Sequence, residues 1–325
     1  MAQSDSAAVL RADINVLVEE ASEAASNLIG ARVMPPFEVD EQTGQYPVFK
    51  KGKGELINDD VTERTPGGSY GRVRRTYEND TFDCVDRGLE EEVDDTYKKN
   101  VARYFSAEVT AAKHVMNQVA LGHEIRVAAE ITGSNATTNF GSGTAAAVNY
   151  TEANIATINF VKDVFDAVER LNNNAESPNT IVMSSNVWQR VRRATLTQNF
   201  LRGNLGDASS TMNVTPNAVA SAFAESGIEQ VLVGRAVKNS AKKGQTYSAT
   251  SIWGNTYIWV GKVAGGDFAN QGAGRTLVWN KEGGLYVTET YREESKRSDI
   301  VRVRQNTAEK IIDGAAGTLI TTSYS

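Results

Sequence analysis

The side chains that most often carry catalysis or bind transition metals are scarce in this chain of 325 residues. It contains two histidines, His114 and His123, and a single cysteine, Cys84. The two histidines lie nine residues apart in one predicted helix, and at about 3.6 residues per turn they point to opposite sides. They therefore cannot share a metal ion. A lone cysteine excludes an intrachain disulfide. We expect no metal site and no cofactor.

Motifs for nucleophilic catalysis or phosphate binding are also weak. The one Gly-x-Ser-x-Gly match, Gly67 to Gly71, lies at the tip of a predicted hairpin rather than at a strand-to-helix turn. Neither "KKGKGE" nor "GGDFANQGAGRT" has the spacing of a phosphate-binding loop. The acidic pairs Asp59-Asp60 and Asp94-Asp95 are typical of turns and helix starts. The sequence therefore predicts that the protein is not an enzyme.

Arginine is the informative residue type, above all in the stretch "PGGSYGRVRRTYENDTFDC" (66–84). Arg72, Arg74, Arg75 and Tyr77 lie on a predicted strand that is mostly polar on both faces, whereas a half-buried strand alternates apolar and polar residues. Isolated two-stranded hairpins are marginal in water. We expect this strand to rest on another molecule, with its arginines forming ion pairs there.

Composition excludes several classes of protein. The net charge of -6 and the pI of about 5.2 lack the basic bias of a DNA-binding domain. No run of 18 apolar residues predicts a membrane span. The first residues lack the basic start and apolar stretch of a secretory signal. We expect a soluble protein made in the cytosol.

The apolar spacing predicts an ordered series of elements. Residues 7–30 have helical spacing and end at Gly30, and an extended segment follows. A hairpin with its tip at Pro66-Gly67-Gly68 leads to a helix from Glu90 to about Ile131. That helix begins with Glu90, Glu91, Glu92, Asp94 and Asp95, which suit a helix N-terminus. A compact α/β region then contains a polar loop over 196–213, and a strand-rich tail begins at Thr276.

This order resembles the major capsid proteins of tailed bacteriophages over nearly the whole chain. The stretches that carry the resemblance are "ASNLIGARVMPPFEVDEQTGQYPVFKKGKGEL", "GLEEEVDDTYKKNVARYF", "NTIVMSSNVWQRVRR", "VLVGRAVKNS" and "LVWNKEGGLYVTETYREESKRSDIVRVRQ". The resemblance implies an α+β fold with an N-terminal arm (1–48), an extended β-hairpin loop (49–86), a peripheral domain with a long spine helix (87–154), an axial α/β domain (155–268) and a peripheral return sheet (269–325).

The resemblance also implies a function. A chain of this kind self-assembles through pentamers and hexamers into an icosahedral head shell that encloses double-stranded DNA. The implied partners are other copies of the chain, a separate scaffolding protein, a portal and a decoration protein, with weak, non-specific contact to packaged DNA and no membrane. The implied location is the virion, after assembly in the host cytoplasm.

Two sets of site residues follow as hypotheses. Arg72, Arg74, Arg75 and Tyr77 of one subunit meet Glu90, Glu91, Glu92, Asp94 and Asp95 of a neighbour. Phe200, Arg202, Asn204 and Asp207 belong to a loop near the symmetry axes. Two other readings stay open: an encapsulin-like cellular nanocompartment with the same fold, and an oligomeric β-rich binding protein.

Overall fold

The fold was determined as a computed structural model, which describes residues 9–10, 27–48, 63–71, 78–102, 105–205, 214–242, 244–266, 272–282 and 284–324. In these ranges the helices are α1 Gly30–Val33, α2 Asp95–Val101, α3 Ala107–Ile131, α4 Ala136–Phe140, α5 Phe160–Asn173, α6 Ser185–Arg193, α7 Thr195–Leu205 and α8 Pro216–Ala222. The strands are β1 Val9–Leu10, β2 Pro36–Val39, β3 Thr43–Val48, β4 Glu78–Asp83, β5 Val85–Asp94, β6 Thr144–Ala145, β7 Thr180–Ser184, β8 Gln230–Gly234, β9 Val237–Asn239, β10 Ala249–Ser251, β11 Tyr257–Gly261, β12 Gly274–Trp279, β13 Val287–Glu293, β14 Ser298–Ile311 and β15 Gly317–Thr321.

The first sheet is built around the long strand β14. Its strand order is β1-β13-β14-β12-β2, and β5 pairs with the other flank of β14. Antiparallel pairing with β5 runs from Ser298 opposite Asp94 to Thr307 opposite Val85. On the opposite flank, β13 pairs with the first half of β14 and β12 with the second half.

Helix α3 packs on one face of this sheet. Alternate residues of β14, Val301 and Val303, are fully buried there together with Val93 of β5. The helix contributes residues at helical spacing, namely Ala107, Ala111, Ala112, Val115, Met116 and Val119. Burial of this apolar face stabilises the helix on the sheet.

The second sheet has the strand order β6-β15-β11-β7-β8. Strand β7 is buried along its whole length, as expected for a central strand covered on both faces. Helices α5 to α8 complete its core, which includes Phe160, Leu171, Trp188, Leu201 and Phe223. Strand β15 departs from the predicted assignment of residues 269–325 to the peripheral sheet, because it pairs with β11 and β6 instead.

A two-stranded ribbon, β3 with β4, leads into and out of the predicted hairpin. At the predicted tip, the N–H of Gly68 donates to the carbonyl of Thr65 at 2.9 Å, and Gly67 has a φ of 87°. That left-handed conformation favours glycine. Residues 49–62 and 72–77, which include parts of both predicted arms, lie outside the described residues.

The predicted 40-residue helix is wrong at its N-terminal end. Residues Val85–Asp94 form strand β5, and two separate helices follow. The Asp94 carboxylate accepts hydrogen bonds from the N–H groups of Thr96 and Tyr97, and the Ser106 hydroxyl accepts from Val109. Each cap starts a new helix, so the continuous helix is limited to α3.

Two other predicted elements also differ. Most of the predicted helix 7–30 lies outside the described residues. Within the described residues, Val9–Leu10 pair with β13, and Gly30 begins helix α1 rather than ending a helix. The predicted loop 196–213 is helical up to Leu205. Thr197 and Leu201, one turn apart, are both buried and anchor α7 in the core of the second sheet.

Candidate subunit interface

The acidic residues predicted to meet a neighbouring subunit lie on β5 and at the start of α2. Register places Glu92 opposite Ile300 and Glu90 opposite Arg302, while Glu91 is opposite Val301. Directly opposite residues share a face of a sheet. Glu90 and Glu92 therefore project from the face away from α3, and Glu91 lies on the α3 side, where it contacts His114 at 2.7 Å.

Cross-strand ion pairs cover the face away from α3. Arg302 of β14 contacts Glu90 of β5 at 2.5 Å and Glu289 of β13 at 3.5 Å. Glu289 also pairs with Arg304 at 2.9 Å. The Tyr291 ring lies 5.0 Å from the Arg302 guanidinium, and its hydroxyl donates to Glu90. Charges thus alternate in sign across three strands, an arrangement that stabilises neighbouring strands.

A second group of ion pairs lies where β5 passes into α2. Arg292 donates from both terminal nitrogens to the two carboxylate oxygens of Asp95, at 2.6 and 2.7 Å, and also contacts Asp299 at 3.1 Å. The hydrogen bonds from Arg292 lower the pKa of Asp95 to about 2. Lys98 pairs with Asp299 and Glu108. The start of α2 is therefore fixed to β13 and β14.

Each predicted acidic residue thus has a partner in its own chain. Glu92 accepts from the Ser298 hydroxyl at 2.8 Å, and Asp94 caps α2. Arg72, Arg74, Arg75 and Tyr77 lie outside the described residues. The contact between these residues and the acidic strand of a neighbour stays a prediction.

Exposed apolar side chains accompany this strand. Leu89 and Val85 of β5 are 50% and 43% exposed, and Tyr97 of α2 is 52% exposed. Phe105, between α2 and α3, is 43% exposed. In the described part of the chain, β5 pairs only with β14, so its other edge is open. Open edges with apolar side chains are sites at which another chain adds.

The predicted axial residues lie on and after α7. Phe200 packs against Phe223 and Phe165, with ring centroids 5.3 and 6.2 Å apart. Arg202 follows it on the same helix and is partly buried. For Asn204 only the backbone is described, and Asp207 lies outside the described residues. The placement of these residues at a symmetry axis stays a prediction.

Sequence reasoning missed a buried carboxylate on α3. Glu124 is 1% exposed and accepts hydrogen bonds from the N–H groups of Ile29 (3.0 Å) and Gly30 (2.6 Å) and from the indole of Trp253 (2.6 Å). Burial raises the pKa of Glu124, although the three donors oppose the shift. This side chain joins α3, the N-terminal segment and the second sheet. The one sequence signal for a buried carboxylate is that Glu124 occupies a position of the apolar helical spacing, between Ala120 and Val127.

His123, one residue earlier, is buried and neutral. Its Nε2 lies 3.1 Å from the Thr276 hydroxyl, which itself donates to the carbonyl of Met34. Nε2 therefore carries the proton. Burial lowers the pKa of His123 to about 4. Cys84 is buried too, with Sγ 3.7 Å from the carbonyl of Leu277.

The described residues contain no cluster of three or more histidine, cysteine, aspartate or glutamate side chains placed to hold a metal ion. None of the helices in these residues combines the length and the apolar character that crossing a membrane requires.

Solved structures share this architecture over nearly the whole chain. A phage-related protein from Bordetella bronchiseptica is 19% identical, with 98% of each chain covered and a TM-score of 0.69. The capsid protein of cyanophage P-SCSP1u is 11% identical, with 90% of this chain and 86% of that chain covered and a TM-score of 0.54. A virus-like particle from Pyrococcus furiosus is 11% identical, with 95% and 96% covered and a TM-score of 0.52.

No protein-family model matches the sequence, and comparison with curated proteins finds no significant match. The likeness is therefore one of structure at low sequence identity. The α+β architecture predicted from the order of elements is confirmed: this chain has the fold of phage capsid proteins.

Proposed function

We propose that this protein is a structural subunit of an icosahedral phage head, which assembles through pentamers and hexamers and encloses double-stranded DNA. The observation that carries the proposal is the capsid fold, which extends over 90% of this chain and 86% of the cyanophage capsid protein. Because almost no part of the chain lies outside that fold, little of it is left to form a separate catalytic domain.

The open edge of β5 supports self-association. An edge strand of ten residues, with Leu89 and Val85 about half exposed, promotes aggregation of an isolated subunit. A neighbouring subunit that covers the edge prevents this aggregation. We infer that the extended loop 49–86 of a neighbour lies here, with Arg72, Arg74 or Arg75 facing Glu90 and Glu92, whose side chains are 42% and 46% exposed.

These carboxylates have room for a further donor. A carboxylate accepts up to about four hydrogen bonds, and Glu92 receives one from Ser298, with Lys296 3.9 Å away. A neighbour's arginine therefore adds to the charge network without displacing the pairs of the subunit. A portal, a scaffolding protein, a decoration protein and weak DNA contact belong to the same proposal.

Electron microscopy of the full-length protein, purified alone and after coexpression with its scaffolding partner, tests this function. We expect closed shells, tubes, or rings of five and six subunits. Deletion of residues 56–80 removes the loop and is expected to abolish these assemblies while the subunit stays folded. As a control, Lys162→Ala changes an exposed ion pair on α5 and leaves assembly unchanged.

A protein that stays monomeric or dimeric under all these conditions contradicts the proposal and favours the β-rich binding protein. The encapsulin-like alternative has the same fold, and the virus-like particle of Pyrococcus furiosus shares it. The content of the shells separates the two: nuclease-protected DNA supports a phage head, and a co-purifying protein cargo supports a nanocompartment.

A further inference from the structure

A basic hairpin, formed by residues 235–251 around β9 and β10, carries positive charge with no acidic residue beside it in the sequence. From Gln230 to Gly266 the chain contains no aspartate or glutamate, although its net charge is -6. The charged residues of this stretch are Arg235, Lys238, Lys242, Lys243 and Lys262. A local excess of one sign attracts a partner of the opposite sign.

Three of these cations are available to an anion. Arg235 and Lys242 are exposed, Lys238 is partly exposed, and none of the three forms an ion pair in the described part of the protein. Lys262, by contrast, lies 3.6 Å from Glu176. The chain from Arg235 to Lys242 spans at most about 25 Å even when it is fully extended. The three cations therefore lie close enough together to contact one extended anion.

The residue types of the hairpin are those of a phosphate-binding surface. Residues 238–250 read "KNSAKKGQTYSAT", in which every residue except Ala241, Gly244 and Ala249 is a lysine, asparagine, serine, glutamine, threonine or tyrosine. Together with arginine and backbone N–H groups, these side chains supply the hydrogen bonds that proteins make to nucleic-acid phosphates. Tyr247 is 64% exposed and adds a hydroxyl donor.

Polar hydrogen bonds close the loop of the basic hairpin. The side-chain oxygen Oδ1 of Asn239 accepts from the N–H groups of Ala241 and Ser248, at 3.0 and 3.1 Å. The N–H and the hydroxyl of Ser240 donate to the carbonyl of Ser248, at 2.9 and 3.2 Å, and the Thr250 hydroxyl donates to that of Ser240 at 2.9 Å. A loop that is already ordered loses less conformational entropy on binding.

We propose that the basic hairpin binds the phosphate backbone of nucleic acid without reading the base sequence. Arg235, Lys238 and Lys242 pair with phosphates, and the Tyr247 hydroxyl donates to a phosphate oxygen. The inference rests on the proposed function, since the DNA enclosed by a phage head is the nucleic acid that the hairpin meets. It assigns the weak DNA contact of that function to one surface of the subunit.

Nucleic acid fits the basic hairpin better than an acidic protein surface does. The buried centre of a protein interface is apolar and surrounded by a polar rim. Apart from Tyr247, the largest apolar side chain between Lys238 and Thr250 is that of alanine. Val237, beside the loop, is 51% exposed, but a single exposed apolar residue is ordinary on a protein surface. The loop therefore lacks the centre that a protein partner would cover.

Binding through so few contacts depends on salt in a way that counts the cations. Each neutralised phosphate contributes about −0.9 to the slope of log K against log salt, so three cations predict a slope of about −2.7. The same relation predicts that affinity falls about 40-fold between 50 and 200 mM salt. Because phosphate contacts carry no sequence information, duplexes of different sequence should bind equally well.

Fluorescence anisotropy of a short labelled DNA duplex, titrated with the full-length protein as dissociated subunits, tests the contact. Lys238→Gln with Lys242→Gln leaves one of the three cations and is expected to reduce the slope from about −2.7 to about −0.9. Tyr247→Phe removes one hydrogen-bond donor and no charge. It is expected to weaken binding about fivefold and to leave the slope unchanged.

A matched variant controls for net charge. Lys162→Gln with Lys281→Gln removes the same two charges at exposed positions on α5 and after β12. If the hairpin forms the contact, the affinity and the salt slope of this variant equal those of the wild type. Circular dichroism verifies that all variants fold, and sedimentation velocity verifies that they are dissociated.

The inference is overturned if the folded hairpin variant binds the duplex with the affinity and slope of the wild type, or if the control variant loses as much of the slope. It is also overturned if the hairpin variant binds DNA normally but no longer self-associates, which assigns the hairpin to a protein partner. Hairpin-dependent binding by a protein that forms no shells leaves the contact standing and contradicts the shell function. Shells with nuclease-protected DNA and hairpin-independent binding do the reverse.

Discussion

At the scale of single residues, Glu124 joins three parts of the chain that are far apart in sequence. Its two oxygens accept from Ile29, Gly30 and Trp253, and a Cβ on Gly30 would lie 2.6 Å from Oε2. In Glu124→Gln an NH₂ group replaces one acceptor and faces an N–H donor. We expect a loss of about 2–4 kcal/mol in the free energy of unfolding, measured by urea denaturation of the dissociated subunit.

The matched control is Glu169→Gln, on the exposed side of α5, which should change stability by less than about 0.5 kcal/mol. A loss for Glu124→Gln as small as that of the control contradicts the role given to this carboxylate.

His123 makes stability depend on pH. Its pKa is about 4 in the folded protein, below its ordinary value of 6.5, chiefly because the side chain is buried. The unfolded chain therefore binds more protons than the folded chain in this range, and stability present above pH 6.5 is lost as the pH falls toward 4. The difference between the two pKa values corresponds to about 3 kcal/mol in the free energy of unfolding. Denaturant unfolding at a series of pH values measures it.

His123→Gln removes this contribution, so the variant should lose less stability than the wild type between pH 6.5 and 4. The control is Asn172→Gln, an exchange of two uncharged amides at an exposed position of α5, and its curve should follow the wild type. Identical pH dependence in His123→Gln and the wild type would show that the buried histidine does not cause the loss of stability between pH 6.5 and 4.

At the scale of elements, two glycines provide opposite tests. A Cβ on Gly88 of β5 would lie 2.8 Å from Cβ of Arg304 and 2.9 Å from the carbonyl of Val303, so Gly88→Ala must push β5 away from β14. We expect Gly88→Ala to lose about 1–3 kcal/mol in the free energy of unfolding. Among the described residues, a Cβ on Gly203 in α7 meets nothing within 4 Å. Gly203→Ala should therefore add about 0.5–1 kcal/mol to the free energy of unfolding.

Thermal and urea unfolding of the two alanine variants, side by side, measures both effects. If Gly88→Ala is as stable as Gly203→Ala, then β5 tolerates a side chain at Gly88, and the close contact with Arg304 is readily relieved.

The sequence predicted elements well where local signals and burial agree. The compact α/β region and the turn at Gly67 followed from the apolar spacing and the turn residues. It failed for β5, because the spacing of Val93, Tyr97 and Val101 is helical and the pairing with β14 is a tertiary contact. It failed for α7, where Thr197 and Leu201 are anchored by the core rather than by an obvious apolar stripe.

The candidate site was predictable in part for a similar reason. Charge content singled out the acidic residues from Glu90 to Asp95, but their partners Arg292 and Arg302 lie about 200 residues later in the chain. Only strand register brings them together. The role of Glu124 depends on contacts with Gly30 and Trp253, which no local pattern indicates.

At the scale of the whole molecule, the open edge of β5 should close on assembly. In an antiparallel strand alternate N–H groups point toward the neighbour, so about half of those in Val85–Asp94 point away from β14 and exchange readily in a free subunit. Hydrogen exchange followed by mass spectrometry, on dissociated and assembled protein, is expected to show slower exchange across β5 in the assembly. The internal control is β7, which lies in the interior of the second sheet and should exchange equally slowly in both states. Unchanged exchange at β5 in intact shells would place the neighbour elsewhere and remove the main structural support for the contact with Arg72, Arg74 and Arg75.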